Sequence, residues 1–341
     1  MKNKKNRKYP VSVGGQALME GILMRGPAGS YVSLRLPDGS IETYEKKIKP
    51  LKERFKPFGW PMIRGIAGFI ESLVFGYRCL MESAEKTMPD IKDHQENESK
   101  IDRWLTDHFG EKMLSAIGLI SGILGFALAF ALFYWLPSFL FDTVNNAAGG
   151  VIDGKWRALA EGGVRVVIFV AYMFLVSKMK DVKRLFMYHG AEHKAIFCFE
   201  NGEELTVEHI RKHKRFHPRC GTSFIFVMII ISILLSSILA LLFPALTGIR
   251  PLWIFVKLCL APLIIGLGYE FIRYAGRHNN ILVKIFAAPG LWMQRITTAE
   301  PSDDIIEVAA EALKAALNGL KQPPPAAETE APETVPPENI P

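Results

Sequence analysis

The chain has 341 residues and a net charge of +7, and its hydrophobic residues, 49% of the total, gather in long blocks between charged segments. That distribution excludes one large soluble core, and it makes the positive balance a matter of loops and topology before nucleic-acid affinity. The four cysteines, Cys79, Cys198, Cys220 and Cys259, stand far apart with no repeating spacing, which excludes a disulfide framework and leaves free thiols or a metal ligand.

Residues 1–60 read as a cytoplasmic N-terminal region. Met1–Lys8 is basic but no apolar run follows it, so no cleaved signal peptide is expected. Residues 9–50 predict a small β-hairpin unit: Tyr31–Leu36 alternates in part, Asp38-Gly39 is a hairpin turn signal, and Ser40–Ile48 returns. Before it, Gly14–Pro27 (GGQALMEGILMRGP) is rich in glycine, either a buried turn-rich segment or an anion cradle; it lacks the lysine and the spacing of the known phosphate loops. Residues 61–88 predict an amphipathic helix. Ile63, Ile66, Ala67, Ile70, Leu73, Val74 and Tyr77 recur at helical period while Arg64, Glu71 and Arg78 fall on another face, so the helix lies on the membrane or against a bundle. Residues 89–112 are a polar linker.

Four transmembrane helices are expected, two within 113–176 and two within 222–274. Crossing an apolar layer of about 30 Å takes roughly 20 residues of helix. Met113–Leu136 and Thr222–Leu246 meet that length without a charge; Pro251–Tyr274 carries Lys257 and Glu270; Ala158–Val176 is the weakest span because Glu161 and Arg165 sit in its first half. Loop charge sets the orientation. Lys178–Arg219 holds ten Lys or Arg, whereas Pro137–Arg157 holds only Lys155 and Arg157. The loop at 177–221 is therefore expected to be cytoplasmic, as are both termini. Residues 275–321 contain a short apolar interfacial piece, Ile281–Trp292, ending at Pro289-Gly290, and then an amphipathic helix, Ser302–Leu320, with Asp303 and Asp304 suited to its N-terminal dipole. Residues 322–341, with seven prolines and four glutamates, read as a disordered tail.

The chemistry collects in the basic loop. His189-Gly-Ala-Glu192-His193 puts two imidazoles four residues apart on one helical face, with Glu192 near the same face. The spacing H-x-x-E-H is the inverted form of the zinc peptidase signature. Zinc, or another divalent metal, would be held by His189 and His193 with Glu192 as general base. Downstream, His217-Pro-Arg-Cys220 adds an imidazole and a thiol, both zinc ligands. Two arrangements stay open. Four ligands, His189, His193, His217 and Cys220, would close the site as a structural one; three ligands with Glu192 free would leave it hydrolytic. His209 and His213, among Arg211, Lys212, Lys214 and Arg215, read as surface residues. Glu270, in the fourth span, either pairs with Arg273 one turn on or serves as a third metal ligand.

Four segments in series, GGQALMEGILMRGP, YHGAEHKAI, FHPRCGTSF and PGLWMQRITTAEP, resemble the YqhQ-like family of bacterial membrane proteins over about residues 10–315. The resemblance implies a membrane location and a metal-dependent site rather than a particular reaction. It carries over Gly14, Gly15, Glu20, Arg25, His189, Glu192, His193, His217, Cys220 and Glu270. Two function classes follow. One is a membrane-embedded metal-dependent hydrolase. The other is a non-enzymatic, zinc-stabilised scaffold or assembly factor, its basic loop bound to anionic lipid headgroups or a partner protein. No specific nucleic acid is predicted as a partner.

Overall fold

The computed structural model describes residues 13–47, 56–87, 120, 122–151, 156–218, 220–275, 278 and 280–319. The linker expected at 89–112 and the tail expected at 322–341 lie outside them.

Four antiparallel strands open the described chain: β1 (Gly14–Leu18), β2 (Gly21–Gly26), β3 (Gly29–Arg35) and β4 (Ile41–Glu45), in the order β1-β2-β3-β4. The expected hairpin is β3-β4, closed around Asp38-Gly39 with Gly39 at a φ of +84°. The glycine-rich segment is two strands joined by tight turns. It is a second hairpin, in which Leu18 pairs with Gly21 around a two-residue turn and Glu20 takes a φ of +49°. Alternation was hidden because β2 and β3 are covered on both faces, so GILM reads as a continuous apolar run. Ile22, Met24 and Tyr31 face one core, and Leu23, Val32 and Leu34 face the other.

Helix α1 (Ile63–Thr87) covers the second face, with Cys79, Phe75 and Leu80 against the sheet. The first face packs on α4 (Lys180–Asn201) and on the C-terminal helix α9 (Asp303–Asn318). Alanines 309, 310, 312, 315 and 316 give α9 a smooth buried side, and the sheet comes close enough that a Cβ on Gly26 would meet the Ala316 carbonyl oxygen at 2.4 Å. The amphipathic C-terminal helix thus buries its apolar side in this core.

Among the described residues, four helices are long and apolar enough to cross a membrane: α2 (Gly122–Ala147), α3 (Arg157–Val176), Ile225–Leu242 within α6 (Gly221–Leu242), and α7 (Pro251–Ala275). The short α5 (Val207–Lys212) lies between α4 and α6. Residues 113–119 lie outside the described residues; the described part of the first span runs past the expected end at Leu136 and through Pro137 to Ala147. A π turn at Ala131–Trp135 comes just before that proline. Such a turn already breaks the regular hydrogen-bond ladder, so a residue without N–H does less damage there. Helix α8 (Ile281–Thr297) likewise runs through Pro289-Gly290, where an end was expected, and it packs along α6.

The charges of α3 are matched inside the bundle. Glu161 is 1% exposed; it accepts from Ser138 Oγ at 3.0 Å and Arg157 Nε at 2.8 Å, and it pairs with Lys257 of α7. Arg157 also meets Asp142 of α2 at 2.9 Å. Arg165 donates to the Phe133 carbonyl at 2.9 Å, within the π turn. Charges unaffordable on a lone helix thereby join three spans.

Small residues let α3 and α6 approach. A Cβ on Gly162 would lie 2.5 Å from Ile233 Cγ1, whereas one on the neighbouring Gly163 meets nothing within 4 Å. Gly162→Ala is expected to cost about 1–3 kcal/mol through overpacking, and Gly163→Ala to leave stability unchanged or raised. Thermal unfolding of the two variants in one detergent checks this contrast.

Candidate metal centre

Helix α4 carries the H-x-x-E-H segment. Asp181 lies in its first turn, and Gly202, in the left-handed conformation with φ of +74°, caps its end. Helical spacing brings the His189 and His193 rings to 4.5 Å between centroids.

What surrounds those rings fixes their protons. His189 Nδ1 lies 2.8 Å from the Thr297 carbonyl oxygen, and His193 Nδ1 is hydrogen-bonded to the Arg215 carbonyl. A carbonyl only accepts, so each Nδ1 must carry the proton and each Nε2 is left with its lone pair. His189 Nε2 is 3.1 Å from Cys220 Sγ. His193 Nε2 is buried without a hydrogen bond among the described residues, and the Cys220 thiol lies beside it. One donor atom from each of His189, His193 and Cys220 lies within 4.8 Å of the other two. Burial holds the His193 imidazole below its ordinary pKa, favouring the neutral ring that a metal ligand requires.

Glu192 is 5% exposed. Burial pushes its carboxyl above the usual range, against the pull of His189, His217 and the Gly15 N–H that donates to it. Gly15 must be glycine for this approach, because a Cβ there would stand 3.1 Å from Glu192 Cδ and 2.6 Å from the Leu23 carbonyl oxygen. His217 borders the group: its ring centroid is 5.6 Å from that of His193, and its Nε2 is 3.7 Å from a Glu200 oxygen. The Gln294 side chain clamps its main chain, accepting from His217 N at 2.7 Å and donating to His217 O at 2.8 Å.

Of the residues singled out in the sequence, His189, His193 and Cys220 therefore converge, Glu192 and His217 adjoin them, and Glu270 does not join the group. Arg64 of α1 grips Glu270 with both nitrogens, at 2.8 and 2.6 Å, which satisfies its carboxylate. The partner expected one turn on, Arg273, is not the one that pairs. A second group, Cys198, Glu203 and His213, also brings its donors together. There His213 Nδ1 faces the Asn201 amide at 3.3 Å, its Nε2 faces Glu203 at 3.2 Å, and the Cys198 thiol donates to the Glu204 carbonyl at 3.3 Å. Both ring nitrogens of His213 are thus engaged within the protein.

Sequence reading assigned no role to Gly190, Gln294 or Thr297. Gly190 sits inside HGAEH because the segment after α8 crosses α4 there: a Cβ would meet the Ala299 carbonyl oxygen at 2.2 Å, and Ala299 N donates to Phe186 O at 2.8 Å. That crossing delivers the Thr297 carbonyl to His189.

The sequence model of a protein family of unknown function, DUF1385, matches residues 60–319. The uncharacterized protein YqhQ of Bacillus subtilis (strain 168) is 31% identical over 320 residues, covering 91% of this chain and 93% of the relative. No solved structure matches. The chain belongs to the DUF1385 family.

Gly190→Ala is expected to force the 297–301 segment off α4, costing about 1–3 kcal/mol or more. Amide exchange in that segment should accelerate while exchange in β3 stays slow, as read by hydrogen–deuterium exchange.

Proposed function

We propose that this member of the DUF1385 family is a membrane-embedded metal-dependent hydrolase. The observation that carries the reading is the convergence of two imidazole lone pairs, each fixed by an Nδ1–H bond to the main chain, on one thiol sulfur. Imidazole and thiolate together suit zinc above the other common divalent ions. His189, His193 and Cys220 would hold the ion, and three protein ligands leave a four-coordinate ion one position for substrate or water, the arrangement of catalytic sites. The ion would supply Lewis-acid polarisation of a carbonyl or phosphoryl oxygen. Glu192 would take the proton of the attacking water and return it to the leaving group. The Gly15 N–H orients the carboxyl, and the Thr297 and Arg215 carbonyls hold the imidazoles. The concentration of Lys and Arg in 178–219 supports a cytoplasmic site in a bacterial cytoplasmic membrane, with both termini on that side.

One observation favours a second reading, a zinc-stabilised scaffold. Glu192, His193, His217 and Cys220 are all at most 9% exposed, as expected of a closed structural staple between α4 and the start of α6.

Purified protein is expected to carry about one equivalent of zinc, lost in His193→Ala and Cys220→Ser, as read by elemental analysis. Absence of a stoichiometric metal from the wild type sinks both readings. Glu192→Gln separates them. For the hydrolase it keeps the metal and the thermal midpoint but fails to complement a deletion of the gene; for the scaffold it complements fully.

A further inference from the structure

Helix α1 presents three faces. Gly65, Gly76, Cys79 and Ser83 turn inward, Gly65 against Tyr269 of α7 and Gly76 against Gln16 of β1. Opposite them, Ile63, Ile70, Leu73, Val74, Tyr77 and Met81 form a stripe of side chains 37–62% exposed. At about 100° per residue these six fall within roughly a third of the circumference. The stripe is long and unbroken, and α1 is not among the four spans. Between the inward face and the stripe runs a charged flank with Arg64, Glu71 and Arg78.

The position of α1 says what covers that stripe. Arg64 is tied to Glu270, within the last two turns of α7, so the first turn of α1 sits where a span leaves the apolar layer. Exposed apolar residues of α7 itself, Phe255, Leu258 and Leu263, continue the greasy surface away from that junction. Along the charged flank a cleft of 570 Å³ opens between α1 and α7, lined by Phe58, Arg64, Glu71, Tyr269 and Arg273. A second cleft of 290 Å³ adjoins it through Arg64 and Arg273 and reaches Tyr274 and His278. Arg64 is neutralised by Glu270. Arg273 is exposed and makes no ion pair within 4 Å among the described residues; it lines both clefts, the smaller one together with Glu270, whose carboxylate it also attracts.

We propose that α1 lies in the plane of the membrane, its stripe sunk among the acyl chains of one leaflet, and that the cleft beside it takes the headgroup phosphate of an anionic phospholipid through Arg273. An apolar stripe of this length left in water would be an association hazard. Placed at the level where α7 ends, it meets acyl chains, and the arginines of its flank meet headgroups, which is how amphipathic helices settle at an interface. Glu270 is gripped by Arg64, so a phosphate beside Arg273 would give that side chain a counter-charge of its own.

Full-length protein in vesicles of equimolar phosphatidylglycerol and phosphatidylcholine, with benzoylphenylalanine placed at Tyr77, tests the stripe. Irradiation should yield adducts of phospholipid mass, and none when the probe sits at Lys314 on α9. A cross-linked dimer at Tyr77 would assign the stripe to a second copy and overturn the proposal, as would the absence of any lipid adduct. Native mass spectrometry tests the cleft. Wild type should retain phosphatidylglycerol over phosphatidylcholine by about fivefold, the contribution of one basic residue near an anionic surface. Arg273→Gln, a change at an exposed position, should bring the ratio near unity with the fold intact. Equal retention by the wild type, an unchanged ratio in Arg273→Gln, or equal occupancy by inorganic phosphate without lipid would each remove the headgroup assignment.

Discussion

Two imidazole N–H groups donating to main-chain carbonyls set the arrangement of the histidine–cysteine centre. Without those bonds His189 and His193 are a helical pair free to choose either tautomer. With them, both Nδ1 atoms are committed, and both lone pairs face inward to the Cys220 sulfur. The carbonyls come from two different places, the chain leaving α8 and the chain entering α6. The site is therefore a consequence of tertiary structure: the bundle delivers one carbonyl and the thiol, the basic loop delivers the other carbonyl, and α4 delivers the rings. Hydrogen bonds of this kind orient a ring and raise its basicity as a ligand.

The same physical demand shapes the bundle. A charge that leaves water must find a partner in the protein. Glu161 does so through Ser138, Arg157 and Lys257, contributed by three spans, and Arg165 does so through a carbonyl in a π turn. These bonds tie α2, α3 and α7 together at the places where their sequences look least suited to a membrane. Glu270 and Arg64 repeat the pattern between α7 and α1. Polar matching thus supplies specific joints in a bundle whose apolar surfaces supply little specificity of their own.

How much of this was legible in the sequence follows from the range over which each signal acts. Span length, loop charge and the H-x-x-E-H face are local, and the second, third and fourth apolar helices and the His189–His193 geometry stand close to where they were read. The extra hairpin was hidden because β2 lies between two cores; a strand buried on both faces loses the period-two pattern that identifies strands. Pro137 and Pro289 marked ends by the local rule, yet both helices continue, since a π turn precedes one and packing along α6 supports the other. Glu270 was read against Arg273, its neighbour in sequence. Its partner Arg64 lies 206 residues away, and no periodicity links them. Gly190 and Gly15 were visible as glycines, but their purpose depends on backbones that arrive from elsewhere.

Gly15 joins the two halves of the molecule. Its N–H reaches Glu192, and the next residue, Gln16, packs on Gly76 of α1, while Met19 N donates to Ser83 Oγ of the same helix at 3.1 Å. β1 is an edge strand, hydrogen-bonded to β2 on one side only, so its other side is held by α4 and α1 rather than by a sheet neighbour. An edge strand pinned in this way moves with whatever moves its pins. Glu192 is consequently positioned by a strand that rests on α1, and α1 is fixed in turn to the end of a span by Arg64 and Glu270. A shift of α1 relative to α7 has a short physical route to Glu192: two glycines, one glutamine and one hydrogen bond, with no flexible side chain longer than Gln16 between them.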